Sequence, residues 1–364
     1  MELKRCRTIA SLVFIVMVIL SVPVFAGTWS RKADVPGPSK MDSEVGIVGG
    51  IIYNIGGQGF AHAVEAYDPA ADTWSRKANI PTPRLEHGVS VVDGIIYAIG
   101  GLTPAQPYQK ENNGDCSAVE AYDPGTDTWT RKAEMPIPTR AMKTEAVDGI
   151  IYAFGGRRSR KDKAGVWQNS SEPDVYAYDP ATDTWTRKAD MPSTRAWFGS
   201  CVLNGEIYAA GGWYQYAFGS YDQINRTNLC SIYNPRSDTW RRGAPPGAIR
   251  ANANGGQAVV ALNEKIYILG GTNSTDGRVW IYDPTLNTVV RGPSMMVPTR
   301  AYFAAITLDE KIYLIGGWQQ NAKVQVGNRT DVYNPFAAPP AHQIRSVEVK
   351  DKLITEWGTL KIAE

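Results

Sequence analysis

The chain has 364 residues, with 38 Lys and Arg against 36 Asp and Glu and a formal net charge of +2. Lys4, Arg5 and Arg7 stand against Glu2 at the N-terminus, so the remainder is close to neutral, which argues against nucleic acid and anionic membrane surfaces as partners. Past that segment the cysteines are Cys116, Cys201 and Cys230, which allow at most one internal disulfide. Stability must then come from a buried core, for which roughly 340 residues are ample.

The N-terminus reads as a basic "MELKRCR", an apolar run from Ile9 to Phe25 broken by Pro23, and the small-residue close "VFA" before Gly27. These are the marks of a signal peptide cleaved after Ala26. They predict a secreted or periplasmic protein with no membrane insertion after cleavage. An uncleaved anchor is the alternative, although the run is at the short limit for a span.

Next comes "GTWSRKADVP" at 27–36, which matches "DTWSRKANIP", "DTWTRKAEMP" and "DTWTRKADMP" further on. It is the tail of a repeat whose beginning is missing. The repeat has a period of roughly fifty residues, the signature of an array or propeller. Six units carry a diglycine: Gly56 with Gly57, Gly100 with Gly101, Gly155 with Gly156, Gly211 with Gly212, Gly270 with Gly271 and Gly316 with Gly317. Tyr67, Tyr122, Tyr178, Tyr233, Tyr282 and Tyr333 follow in "YDP" or "YNP", and Trp74, Trp129, Trp185 and Trp240 in "TW". Within a unit, "HGVSVV", a "DG" turn and "IIYAIGG" predict a hairpin. "AVEAYDP", a tight turn and "TWTRKA" supply two more strands. Each unit is thus a four-stranded antiparallel blade, and the class is all-β.

The diglycine, Tyr and Trp at this spacing resemble the kelch repeat, from the end of the leader to about Pro335. The resemblance implies a six-bladed kelch-type β-propeller with each first strand on a central channel. Unit six ends "YNPFAAPPAHQ" without a Trp or outer strand, so the N-terminal outer strand is expected to close the ring. Unit five has Val289 in the Trp place. The expected domains are a signal peptide at 1–26, the propeller at 27–340 with its closing strand at 27–36, and a tail at 341–364 whose alternation predicts a small hairpin.

Loops joining one blade to the next, and second strands to third, open on one face. That face varies between units, and loops that vary on a rigid scaffold are where binding usually lives. A basic residue recurs there as Lys40, Arg84, Arg140, Arg195 and Arg300, with Arg250 in unit five. Such a ring suits a carboxylate or other anion, or else bonds loop carbonyls in every blade. After the diglycine, units two to four carry long insertions, with Trp213 and Tyr214 in the fourth and Trp318 opening the loop of the sixth. Aromatics beside arginines suit sugar or peptide recognition, or pack on one another. The residues after the basic position differ: Glu86 and His87, Met142 and Lys143, Trp197 and Phe198, Tyr302 and Phe303. Glu86 with His87 reads as a solvated turn, and "RRSRKDK" at 157–163 as a solvated loop. Asn169, Asn225, Asn273 and Asn328 begin sequons, which matter only in a eukaryotic secretory pathway.

The expectation is a monomeric binding module for a carbohydrate or protein partner, contacting Arg84, Arg140, Arg195, Arg300, Trp197, Trp213, Tyr214, Tyr302 and Trp318. No cofactor or metal is expected, since only His62, His87 and His342 could supply imidazoles. The alternative is a metal-independent, carbohydrate-modifying enzyme of the sialic-acid epimerase type, an exported six-bladed kelch protein. The sequence assigns it no catalytic residue, so that resemblance is one of fold.

Overall fold

The structure, a computed structural model, describes residues 27–37, 40–104, 114–161, 163–214, 225–226, 230–243, 255–272, 276–319 and 327–337. The expected signal peptide at 1–26, Arg250 and the expected tail hairpin at 341–364 lie outside the described residues. The elements are six four-stranded antiparallel sheets and three two-stranded ribbons, with no helix among the described residues. Blade one runs from the channel outward as Glu44–Val48, Ile51–Ile55, Val64–Asp68 and Thr73–Lys77, and the other blades repeat it.

Closure follows the sequence reading. Thr28–Lys32 is the outer strand of blade six, antiparallel to Thr330–Asn334 in a register from Thr28 opposite Asn334 to Lys32 opposite Thr330. First and last repeats therefore share one sheet, and the ring has no open edge at the junction.

Middle strands are packed on both faces by neighbouring blades, which is why "IIYAI" is an unbroken apolar run rather than an alternating one. Ile96, Tyr97, Ala98 and Ile99 are all buried, whereas the outer strand Thr128–Lys132 is largely exposed. The apolar clusters lie between blades: one joins Ile55 and Val64 of blade one to Ile96 and Tyr122 of blade two. Cys116, Cys201 and Cys230 are buried and form no disulfide among the described residues.

The repeated Tyr, Asp and Trp form a clasp. The Tyr122 hydroxyl donates to Asp127 at 2.6 Å, the same carboxylate accepts the Ala78 N–H of blade one at 2.8 Å, and Trp129 Nε1 donates to the Ala78 carbonyl at 3.0 Å. One blade thereby holds both peptide groups of a single alanine on the blade before it. Asp72 and Trp74 hold Ala33, just beyond the closing strand, in the same way. Asp183 with Trp185 holds Ala133, and Asp238 with Trp240 holds Ala189. Blade five departs: Asn287 and Val289 replace the Asp and Trp, and Tyr282 reaches Asn287 at 3.2 Å. At the next junction the alanine place is Pro293, which has no N–H to give.

Candidate functional site

The inner strands of all six blades line a channel of about 430 Å³. On the variable face, the loop entering each blade pairs with the loop after its diglycine. Leu85 bridges Leu102, Arg140 bridges Arg157, Ala196 bridges Trp213, and Arg300–Ala301 pairs with Trp318–Gln319. The two loop sets thus share one face, as the strand order requires.

At this mouth the backbone forms a closed collar. Glu86 N–H donates to the Asp42 carbonyl, Ala141 to Glu86, Trp197 to Ala141, Gly256 to Trp197, Tyr302 to Gly256 and Asp42 to Tyr302, at 2.8 to 3.2 Å. All six residues have positive φ, from 50° at Trp197 to 70° at Gly256. Gly256 shows what the collar alone needs. A side chain in this conformation is disfavoured by roughly 1–2 kcal/mol, yet five blades place one there.

Those side chains divide the mouth. Blades one and two contribute Asp42 and Glu86, while blades four and six contribute Trp197 and Tyr302. Trp197 reaches over the small Ala141 to donate Nε1 to Glu86 at 3.3 Å. Below the collar, Lys143 of blade three pairs with Glu44 of blade one past the equivalent position of blade two, where Gly88 has no side chain. Burial, followed by the charges of Glu86 and Glu44, drives the Asp42 carboxyl well above its ordinary range. Burial also raises Glu86, opposed by Arg140 and the Trp197 hydrogen bond. Burial is again the main cause for Tyr302, whose hydroxyl is raised further by Asp42 and Glu86.

The recurrent basic residues do different work from the anion-binding ring. Arg84 is buried, donating to the carbonyls of Gly100 at 3.1 Å and Ala118 at 2.7 Å and to Glu120 at 2.5 Å. Arg300 likewise meets the carbonyls of Gly316 and Arg329 and the Asp331 carboxylate. Arg195 meets the Ala209 carbonyl and Ser231, and Lys40 pairs with Glu65 at 3.0 Å. Burial lowers both Arg195 and Arg300 to about 10. The three arginines bond carbonyls inside their own blades and Lys40 pairs with a carboxylate of its own, so the carbonyl-bonding alternative holds for the arginines and the anion-binding ring at the mouth is corrected to a set of internal staples. Blade three uses another residue: Thr139 takes the equivalent place, its carbonyl accepting Gly101 N–H as Arg84 accepts Gly57 N–H. Arg158 fills the gap, donating Nε to Thr139 Oγ1 and pairing with Asp174 at 2.6 Å.

Arg140, displaced by one residue from that series, does reach the mouth. It pairs with Asp115 at 2.5 Å and Glu86 at 3.6 Å and donates to Asn169 at 2.9 Å. The collar member of blade three is consequently Ala141, followed by Met142, one residue before the expected Met142 and Lys143. Trp213 lies 5.3 Å from Trp197 between ring centroids, and Arg157 stacks on Trp197 at 5.2 Å. Tyr214 is on the short strand Trp213–Tyr214 opposite Asn225–Arg226. Trp318 is 42% exposed at the edge of the mouth. Two solvated readings are corrected: His87 is fully buried, and the basic run begins as the strand Arg157–Lys161 paired with Trp167–Ser171, with Arg158 inside. Asp42, Glu44, Asp115 and Gly256 are site residues the sequence reading missed. Asp42 and Gly256 were findable, because each stands at the collar offset in its own unit.

The fold defines a β-propeller of six four-stranded blades with a constricted, side-chain-decorated mouth. The profile of the KLHDC2/KLHL20/DRC7 Kelch-repeats domain matches residues 24–212, and that of the Kelch motif matches 195–247 and 254–296. The chain belongs to the kelch-repeat family. Kelch-like protein 36 of Mus musculus is 26% identical over 281 residues, 73% of this chain and 42% of the mouse protein. Kelch-like protein terF of Aspergillus terreus is 33% identical over 192 residues, 52% of this chain and 39% of that protein. Beta-scruin of Limulus polyphemus is 28% identical over 207 residues, 55% of this chain and 20% of that protein. The chain thus spans less than half the length of these relatives. The solved structure titled "Structure of YjhT" matches with a TM-score of 0.63 at 16% identity, covering 83% of this chain and 96% of that one, which shows the fold alone.

Proposed function

We propose that the protein is an exported binding module that engages a protein or carbohydrate partner at the collared mouth. The observation that carries this reading is the collar itself. Six equivalent positions share one backbone conformation and one hydrogen-bond pattern but hold Asp42, Glu86, Ala141, Trp197, Gly256 and Tyr302. A purely structural need would be the same in every blade, so the differences point to a ligand. The exposed Trp318 and the partly exposed Trp213 extend this surface, with Tyr214 next to Trp213 in the chain and Arg140 behind it, and an exposed aromatic is a typical anchor.

The test is a screen of the purified protein on glycan and peptide arrays, followed by titration of the best binder against variants. Trp213→Ala and Trp318→Ala should each cost about 1–4 kcal/mol in affinity, while Thr126→Ala on the opposite face should cost nothing measurable. Loss of affinity in Thr126→Ala alone would place the site at the other end of the channel. Export is tested separately by N-terminal sequencing of the mature protein, which should begin at Gly27.

A further inference from the structure

Beneath the collar lies a cavity of about 40 Å³, walled by Asp42, Ser43, Glu86, His87, Trp197 and Tyr302 among others. One water occupies roughly 30 Å³ of liquid, so the space suits a single small polar group and is too small for a sugar ring. Its polar lining is incompletely used. Ser43 is 2% exposed and His87 fully buried, yet Ser43 Oγ and both His87 ring nitrogens have no hydrogen-bond partner among the described residues, and Glu86 Oε2 has only the ion pair to Arg140 at 3.6 Å. The Glu86 oxygen accepts, Ser43 Oγ can accept as well as donate, and one nitrogen of the neutral His87 imidazole accepts while the other donates.

Charge points the same way. The carboxylates of Asp42, Glu44, Glu86 and Asp115 face three cations: Lys143 on Glu44, Arg140 between Asp115 and Glu86, and Arg157 stacked on Trp197. Asp42 takes part in no ion pair among the described residues. Its carboxyl is therefore held toward the neutral form, and an incoming cation that is also a donor would let it ionise. A metal ion does not fit, because no three His, Cys, Asp or Glu side chains among the described residues converge as ligands. An ammonium does fit: it has three donors, no acceptor and the volume of a water, and aromatic faces attract it.

We propose that the collar takes the ammonium group of a lysine presented by a partner's loop, its charge against Asp42 and Glu86 and its methylene stem along Trp197 and Tyr302. The proposal rests on the loop-face reading above and names the chemistry which that face selects.

The experiment titrates the full mature chain by calorimetry with two charged probes, n-butylammonium and the blocked peptide acetyl-Gly-Lys-Gly-amide. Their uncharged counterparts are n-butanol and the same peptide with an Nε-acetylated lysine. The charged probes should bind at least about tenfold more tightly than their counterparts, the scale of a charge-assisted hydrogen bond. Asp42→Asn, whose new side chain tolerates the same φ, should abolish the preference. Glu86→Gln should weaken it and serves as the second variant if the first does not fold. Tighter binding by the peptide than by n-butylammonium identifies a protein loop as the source. Equal binding shows that the ammonium is read without the loop and overturns the loop while keeping the ammonium. No preference for charge, or a preference that survives both substitutions, overturns the proposal. If the array-derived partner depends on Trp213 and Trp318 while the amines fail, only the ammonium falls. If the partner ignores those tryptophans, the loop-face reading falls.

Discussion

Asp127→Ala should destabilise the propeller by about 2–3 kcal/mol, because it removes the middle of a clasp between two blades. Asp127 accepts from Tyr122 at 2.6 Å and from Ala78 N–H at 2.8 Å. A hydrogen bond to a charged group contributes roughly 1.5–3 kcal/mol when sheltered, and the exposure of this carboxylate argues for about 1 kcal/mol each. The rest comes from the Tyr122 side chain, fully buried and left without its acceptor. In a chain of this size the loss should lower the Tm by about 4–12 °C in a calorimetric scan at pH 7. Asn287→Ala in blade five, where the clasp is reduced to one long bond, should cost less than about 1 kcal/mol. The two hydrogen bonds depress the Asp127 carboxyl, so its contribution is present above the unfolded value near 3.8 and is lost as pH falls through the lower folded value. A Tm within about a degree of wild type, or equal losses at Asp127 and Asn287, would refute the clasp.

Deleting residues 27–36 removes the outer strand of blade six and the alanine held by Asp72 and Trp74, and should lower the Tm by well over the roughly 2–4 °C that follows each kcal/mol lost; an unchanged melting curve would contradict closure by this strand. His87 is held well below its ordinary pKa by burial, and then by Arg84 and Lys143, so the stability it contributes is present above about 6.5 and is lost as pH falls below that. Since Phe198 and Phe303 fill the equivalent places, His87→Phe should fold, and its Tm should fall less than that of wild type between pH 6.5 and 5; parallel curves would show that the imidazole is not excluded from charge. Arg84→Met should be strongly destabilising, because the Gly100 and Ala118 carbonyls and the Glu120 carboxylate are left buried and unpaired, and chemical denaturation measures it. A loss below about 1 kcal/mol would show that Arg84 is no staple.

The architecture was legible because the kelch repeat writes the diglycine and the tyrosine in all six units and its other devices in most of them. The diglycine is one of these devices, since a side chain on Gly56, with φ of 62°, would stand 2.4 Å from the Arg84 carbonyl. The orphan "TWSRK" was legible for the same reason, because a missing strand in unit six and a spare one at the start are complementary. The site was half legible. Differing residues at equivalent places drew attention to Glu86, Trp197 and Tyr302, and all three stand on the collar. The direction of the arginines stayed between two readings, anion binding and bonding to loop carbonyls, because a guanidinium beside a turn can point to solvent or back along its blade, and only the packed carbonyls of strands two and three decide for the second. Nor could the offset in blade three be read, since "IPTR" places a basic residue one position after Thr139 and only the Gly101 hydrogen bond fixes the register. The outcome changes the ligand's expected charge, because the cations turn inward and carboxylates are left at the mouth.

The central claim is that the collar's backbone is scaffold and its side chains are the binding surface. Gly256 supplies the most direct measurement: a variant carrying Trp197→Gly and Tyr302→Gly keeps a backbone suited to positive φ and loses only the two aromatic side chains. Titrated against the array-derived partner, it should lose at least about tenfold in affinity, the scale of an aromatic anchor, while its Tm stays within a few degrees of wild type. Unchanged affinity in a folded variant would contradict the account.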